Sequence, residues 1–173
     1  VAVVYWSGTG NTEAMAMAVA EGVMSKGAEV TTVTATEFSA EQIGAYSAFA
    51  FGCPAMGSEQ LEETEFEPMF AACEGLLNGK KIALFGSYGW GDGEWMRSWE
   101  SRCTDVGAIL ACSSVTCNET PDDDALAACR KLGASLVCPK HHRRQKASPS
   151  AFCLHGRTAH RFDPGETGRG TSC

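Results

Sequence analysis

Six consecutive residues, Ser7-Gly8-Thr9-Gly10-Asn11-Thr12, carry side-chain donors at four positions and glycine at the other two. Set between a strand and a helix, such a stretch turns its backbone N–H groups inward onto an anion. The helix end adds about half a positive charge. No lysine or arginine lies in or beside the stretch. A loop that cradles a nucleoside triphosphate needs a lysine for the outer phosphates, so this neutral loop suits one terminal monophosphate. Read in isolation, it is matched equally well by an ordinary Ser/Gly-rich turn.

Two further stretches share its character: Cys53-Pro54-Ala55-Met56-Gly57-Ser58-Glu59 and Gly86-Ser87-Tyr88-Gly89-Trp90-Gly91-Asp92-Gly93. The elements around them explain why the three belong together. Val1 to Trp6, Glu29 to Thr34, Ala45 to Cys53, Lys81 to Ser87 and Ala108 to Thr116 are short apolar or β-branched runs, the pattern of buried parallel strands. Between them run helical stripes: Met15, Ala18, Val19 and Gly22/Val23; a short helix near Ser39–Gly44; Phe66, Met69, Phe70, Cys73 and Leu77; Trp95, Trp99, Cys103 and Val106. The last stripe is Ala125, Cys129, Leu132 and Leu136, with Thr120 as expected N-cap, Pro121 at the first helical position and Asp123 three residues after the cap.

Five strands alternating with five helices predict an α/β fold, a doubly wound parallel sheet with helices on both faces. In such sheets ligands bind beyond the carboxyl ends of the strands at the topological switch point. Residues 7–12, 54–59 and 87–92 follow strands one, three and four, so motif and topology point to one edge of the sheet.

S-G-T-G-N-T directly after an apolar strand resembles the phosphate loop of flavodoxins, and the other two loops resemble those that flank the two faces of the flavin. The resemblance covers residues 1 to about 137 and is strongest to the short-chain flavodoxins of anaerobic bacteria, because strand five passes to helix five without a long insertion. It implies strand order 2-1-3-4-5 and flavin mononucleotide (FMN) as cofactor. Ser7, Thr9, Asn11 and Thr12, with the backbone of residues 8–12, would hold the phosphate, with Pro54 and Ser87 close by. Flavodoxins often carry Ser or Thr where Pro54 stands, so a hydrogen bond from that position is missing here. Met56 would pack on the inner face of the ring and Trp90 on the outer. Glu59 would accept from the flavin N3, and backbone groups of Gly89 and Gly91 would meet the pyrimidine edge. Ala55, Ser58 and Tyr88 complete these binding loops. In the family the peptide after Gly57 turns when the flavin takes its first electron, and its carbonyl then accepts from the protonated N5, stabilising the neutral semiquinone. Glycine tolerates both backbone states without a Cβ penalty.

The implied function is a low-potential one-electron carrier, cycling FMN between neutral semiquinone and hydroquinone, with no substrate turnover of its own. The alternative is an FMN-dependent NAD(P)H:quinone or nitro-compound reductase, but such enzymes usually add loops that build a substrate pocket. A phosphoacceptor signalling domain of similar topology wants acidic residues after strand one, a phosphorylatable Asp after strand three and a Lys after strand five. None of these is present.

Charge and cysteine usage fit a carrier. Residues 1–137 hold seven Lys/Arg and nineteen Asp/Glu, and residues 138–173 hold seven and two, so a body of -12 and a tail of +5 make the net -7. An acidic body repels nucleic acid and anionic membranes and favours redox partners with basic docking faces, reductases and low-potential acceptor enzymes among them. A monomer is expected. Glu62, Glu63, Glu65 and Glu67 read as a solvated face near the flavin edge, while Trp6, Trp95 and Trp99 fall on strand or helix periods and read as core or partly exposed surface. The nine cysteines include no C-x-x-C and are odd in number. With no apolar run long enough to span a membrane and no secretory pattern at Val1, Cys53, Cys73, Cys103, Cys112, Cys117 and Cys129, which fall in apolar runs or on apolar helix faces, read as buried reduced thiols in the cytoplasm.

Residues 138–173 hold all four histidines and no sustained period, and disorder is expected there. Three accounts of this segment stand. Cys138, His141, His142, Cys153, His155 and His160 could recruit a metal, although their spacing fits no zinc pattern. The segment could be a basic arm on the acidic body. The preferred account is a segment read from a shifted frame, tested by the nucleotide sequence. No metal site is expected.

Overall fold

The structure, a computed structural model, describes residues 1–137. The expectations placed on residues 138–173 lie outside the described residues. The elements run β1 (Ala2–Tyr5), α1 (Asn11–Ser25), β2 (Thr31–Thr34), β3 (Ala48–Gly52), α2 (Phe66–Glu74), β4 (Lys81–Tyr88), α3 (Glu94–Asp105), β5 (Ile109–Leu110), β6 (Val115–Asn118) and α4 (Asp123–Leu136). All strand pairs are parallel, in the order β2-β1-β3-β4-β5, with β6 also on β4.

Three local expectations are corrected. The fifth strand, read as continuous from Ala108 to Thr116, is two segments on the same edge of β4. Ile82 pairs with Leu110 and Phe85 with Val115, so Ala83 and Leu84 stand opposite the four residues Ala111 to Ser114 and the chain loops outward. Such interruptions blunt an edge strand that would otherwise offer itself for pairing. The short helix near Ser39–Gly44 is a 3-10 turn over Ala40–Ala45, preceded by another over Ala35–Glu37; so few residues do not repay the nucleation of an α-helix. The last helix is capped by Asp122, not Thr120: the Asp122 carboxylate accepts the Ala125 N–H at 2.8 Å. Pro121 therefore precedes the cap.

The period-two alternation of the strands divides the interior into two unlike layers. Val3, Ala48, Ala50 and Ala83 face α1 and α4, and Val4, Phe49, Phe51, Ile82 and Leu84 face the other side. Small sheet residues let α1 and α4 lie close, and the helices touch backbone to backbone. A Cβ on Gly133 would stand 2.0 Å from the Val19 carbonyl oxygen, and one on Gly22 would stand 2.0 Å from that of Arg130. The opposite layer is aromatic: Phe70 meets Phe51 edge-on at 5.2 Å, and Trp99 meets Phe66 and Phe70 edge-on at 5.4 Å. Among the described residues the Trp99 indole N–H has no hydrogen-bond acceptor, and such edge-to-face packing sets the positive ring edge against aromatic faces.

Cys53, Cys73, Cys103, Cys117 and Cys129 are buried free thiols and Cys112 is half-buried and free. Burial pushes the Cys73 thiol up to about 11 and the Cys129 thiol up to about 12, which leaves both protonated and unreactive.

Candidate functional site

Because β1, β3 and β4 are parallel neighbours, their carboxyl ends open at one edge of the sheet. Backbone pairing continues past the strands: Cys53 donates to the Phe85 carbonyl at 3.1 Å and Ala55 to that of Ser87 at 2.9 Å. These bonds hold the second loop against the third. The loops enclose a cavity of about 460 Å³, within the range of small-molecule sites. Nine residues singled out in the sequence line it: Gly8, Thr9, Asn11, Pro54, Ala55, Met56, Ser87, Tyr88 and Gly89.

The first loop closes on its own hydroxyl. Ser7 Oγ accepts the Gly10 N–H at 3.0 Å, closing the turn. Thr12 Oγ1 and Ser87 Oγ are paired at 3.2 Å, both buried, tying α1 to the end of β4. Two helices here begin at a glycine with positive φ, α1 at Gly10 (φ 88) and α3 at Gly93 (φ 89). They differ in what meets their N–H groups. At α3, Glu59 Oε1 accepts from Gly93 at 2.9 Å and from Glu94 at 3.1 Å. At α1, among the described residues, no side chain accepts from the first-turn amides that follow Gly10. One helix end has its carboxylate, and the other is open beside the cavity.

The second loop closes as a small hairpin. Met56 and Gln60 exchange both backbone hydrogen bonds, at 2.8 and 2.9 Å, leaving Gly57, Ser58 and Glu59 at the tip. Gly57 takes φ 50 and Glu59 φ 52. A Cβ on Gly57 would meet nothing, so the backbone conformation alone calls for glycine there. Met56 lines the cavity and is 39% exposed. Glu59 and Ser58 instead line a neighbouring cavity of about 560 Å³ that includes Trp95, Trp99 and Arg102. Ser7, Gly10, Thr12, Gly57, Trp90 and Gly91 line neither; Trp90 is 64% exposed.

Three lining residues escaped sequence reasoning: Trp6, Glu119 and Thr120. Trp6 directly follows β1 and Glu119 directly follows β6, so the carboxyl-end rule contained a signal for both. Glu119 carries a left-handed φ of 54, the kind of backbone outlier that concentrates at functional sites.

The carboxylates of residues 62–67 are not one solvated face. Glu62 is 6% exposed and accepts from the backbone N–H groups of Thr64, Glu65 and Phe66 and from the Thr64 hydroxyl. Burial alone would raise its pKa, but the four hydrogen bonds together outweigh that and bring it down to about 2. Glu67 pairs with Arg102 at 2.8 Å. Glu65 accepts the Trp6 indole N–H at 2.7 Å.

The donor set fits FMN. An open helix end, the Thr12–Ser87 hydroxyl pair and a lining free of Lys and Arg suit a monophosphate, while Trp6, Ala55, Met56 and Tyr88 supply apolar walls for a ring.

The model of the family described as Flavodoxin matches residues 3–133. The chain is 45% identical over 137 residues to the flavodoxin of Megasphaera elsdenii, covering 79% of this chain and 98% of that protein. To the flavodoxin of Clostridium beijerinckii it is 43% identical over 121 residues, covering 70% and 88%. The solution structure of two-electron reduced Megasphaera elsdenii flavodoxin superposes with a TM-score of 0.72 at 44% identity, over 78% of this chain and 96% of that one.

Proposed function

The chain belongs to the flavodoxin family, and from that premise we infer that it is an electron carrier built on non-covalently bound FMN, not an enzyme with a substrate of its own. The observation that carries this reading is the cavity between the three loops, with a lysine-free phosphate end and apolar walls at the carboxyl ends of β1, β3 and β4. When bound, the flavin supplies the one-electron chemistry and the protein tunes it.

Thr9, Asn11 and the backbone at the start of α1 would hold the phosphate, and Ser7, Thr12 and Ser87 would shape its seat. Met56 and Tyr88 would pack on the ring, Trp90 would cover its outer face, and Gly89 and Gly91 would offer backbone groups to its pyrimidine edge. Glu59 has one oxygen on α3 and a second left to accept from the ring N3. Gly57, unconstrained by neighbours, would let its peptide turn toward N5 on reduction. Exposed Glu63, Asp92 and Glu94 surround this end of the molecule, which favours partners with basic faces and disfavours negative charge on the flavin. A cytoplasmic place is supported by the six free thiols. Among the described residues no helix is long and apolar enough to cross a membrane.

A spectral titration tests the function. The purified chain should be yellow and should pass through a distinct blue stage when reduced stepwise with dithionite. Rapid bleaching by NADPH without a partner reductase would instead support the reductase reading.

A further inference from the structure

We propose that Trp6 is a wall of the FMN cavity and that Glu65 is the positioning residue that holds it there, a proposal that rests on the FMN reading above. Trp6 leaves β1 immediately before the phosphate loop, its backbone N–H bound to the Gly52 carbonyl at 2.9 Å. Its ring lies over that loop: a Cβ on Gly8 would stand 3.0 Å from the indole. A side chain at Gly8 would press on the ring, so the indole and the Gly8 peptide lie in close approach. The indole lines the same cavity as Thr9, Asn11 and Met56.

What fixes the ring is its N–H, which donates to Glu65 Oε2 at 2.7 Å. Glu65 is itself anchored, because its backbone N–H donates to the buried Glu62 carboxylate at 2.8 Å. The bond therefore joins the phosphate loop to the segment that leads from the Met56–Gln60 hairpin into α2. With its N–H engaged, the indole offers the cavity only apolar surface, and the phosphate end is shielded from water on that side. The Glu65 charge is not what the site needs, since a carboxylate near a bound phosphate is unfavourable. Its value is as a hydrogen-bond acceptor, and a neutral acceptor of the same shape serves equally well.

Full-length Trp6→Phe, Glu65→Ala, Glu65→Gln and the Trp6→Phe/Glu65→Ala pair would be stripped of flavin and titrated with FMN and with riboflavin, following flavin fluorescence. Trp6→Phe and Glu65→Ala should each weaken FMN binding about tenfold, the value of one hydrogen bond. The double variant should be no weaker than about twofold below either single, because both remove the same bond. Glu65→Gln should bind FMN at least as tightly as the wild type, and riboflavin affinity in Glu65→Gln should be unchanged. Single variants that bind FMN normally, a double variant about a hundredfold weaker, or a Glu65→Gln variant as weak as Glu65→Ala would each overturn the proposal. A wild-type chain that takes up no FMN would overturn the cofactor reading beneath it.

Discussion

Glu59 caps a helix whose N-cap residue lies 34 residues further along the chain: its Oε1 accepts the Gly93 N–H at 2.9 Å. The hairpin tip that carries Gly57 and the loop that carries Trp90 are thereby joined through one carboxylate. The left-handed backbone of Glu59 costs about 1–2 kcal/mol for a residue with a Cβ, and the cap offsets it. Glu59→Ala should lose about 1 kcal/mol of stability in the FMN-free chain, and Glu59→Gln should lose much less. Urea unfolding compares them; equal stabilities would mean that this side chain does not cap α3.

Acid should weaken the fold through Glu62. Its folded-state pKa lies below the ordinary 4.5, so the carboxylate's contribution is complete above that pH and is lost as pH falls towards about 2. Glu62→Gln should flatten the stability profile across that window. Glu62→Ala, which leaves three backbone donors at the start of α2 without their acceptor, should cost about 2 kcal/mol at neutral pH.

Gly133→Ala should destabilise the chain by about 1–3 kcal/mol, since the new methyl meets the Val19 carbonyl and the helices α1 and α4 must part. The site is elsewhere, so FMN affinity of the folded fraction should be unchanged. Thermal unfolding and a flavin titration on the same sample separate the two effects.

Thr12→Val removes one hydroxyl of the buried Thr12–Ser87 pair, proposed above to shape the phosphate seat, while keeping the shape. FMN affinity should drop about tenfold and riboflavin affinity hardly at all. An equal loss for both ligands would place the hydroxyl pair away from the phosphate.

Gly57→Thr should lower the first one-electron potential and raise the second, each by about 59 mV for each tenfold loss in stabilisation of the one-electron-reduced form. The β-branched side chain disfavours the positive φ seen here and narrows the backbone states open to the peptide. Potentiometric titration of the FMN-bound chain gives both steps.

Much of this molecule is legible in local sequence because local sequence is what decides it. Period-two runs such as Ala48-Phe49-Ala50-Phe51 specify both a buried strand and which of its faces is aromatic, and the stripe of α1 specifies its buried side. The Ser7–Thr12 loop is likewise contiguous, with glycines, hydroxyls and helix start all within six residues. Tertiary structure decided whatever depends on partners distant in the chain. Thr120 has the residue type of a cap for α4, yet Asp122 takes that place and Thr120 lines the cavity wall. Glu62 and Glu65 lie in one acidic run, yet one became a buried anchor and the other an acceptor for Trp6, because the charge pattern of a segment does not say which side faces a neighbour. Trp6, read as one more strand residue, became part of the site because the strand ends where the cavity begins. Periodicity is set by each residue's own backbone, whereas caps, long-range hydrogen bonds and cavity walls are set only when elements meet.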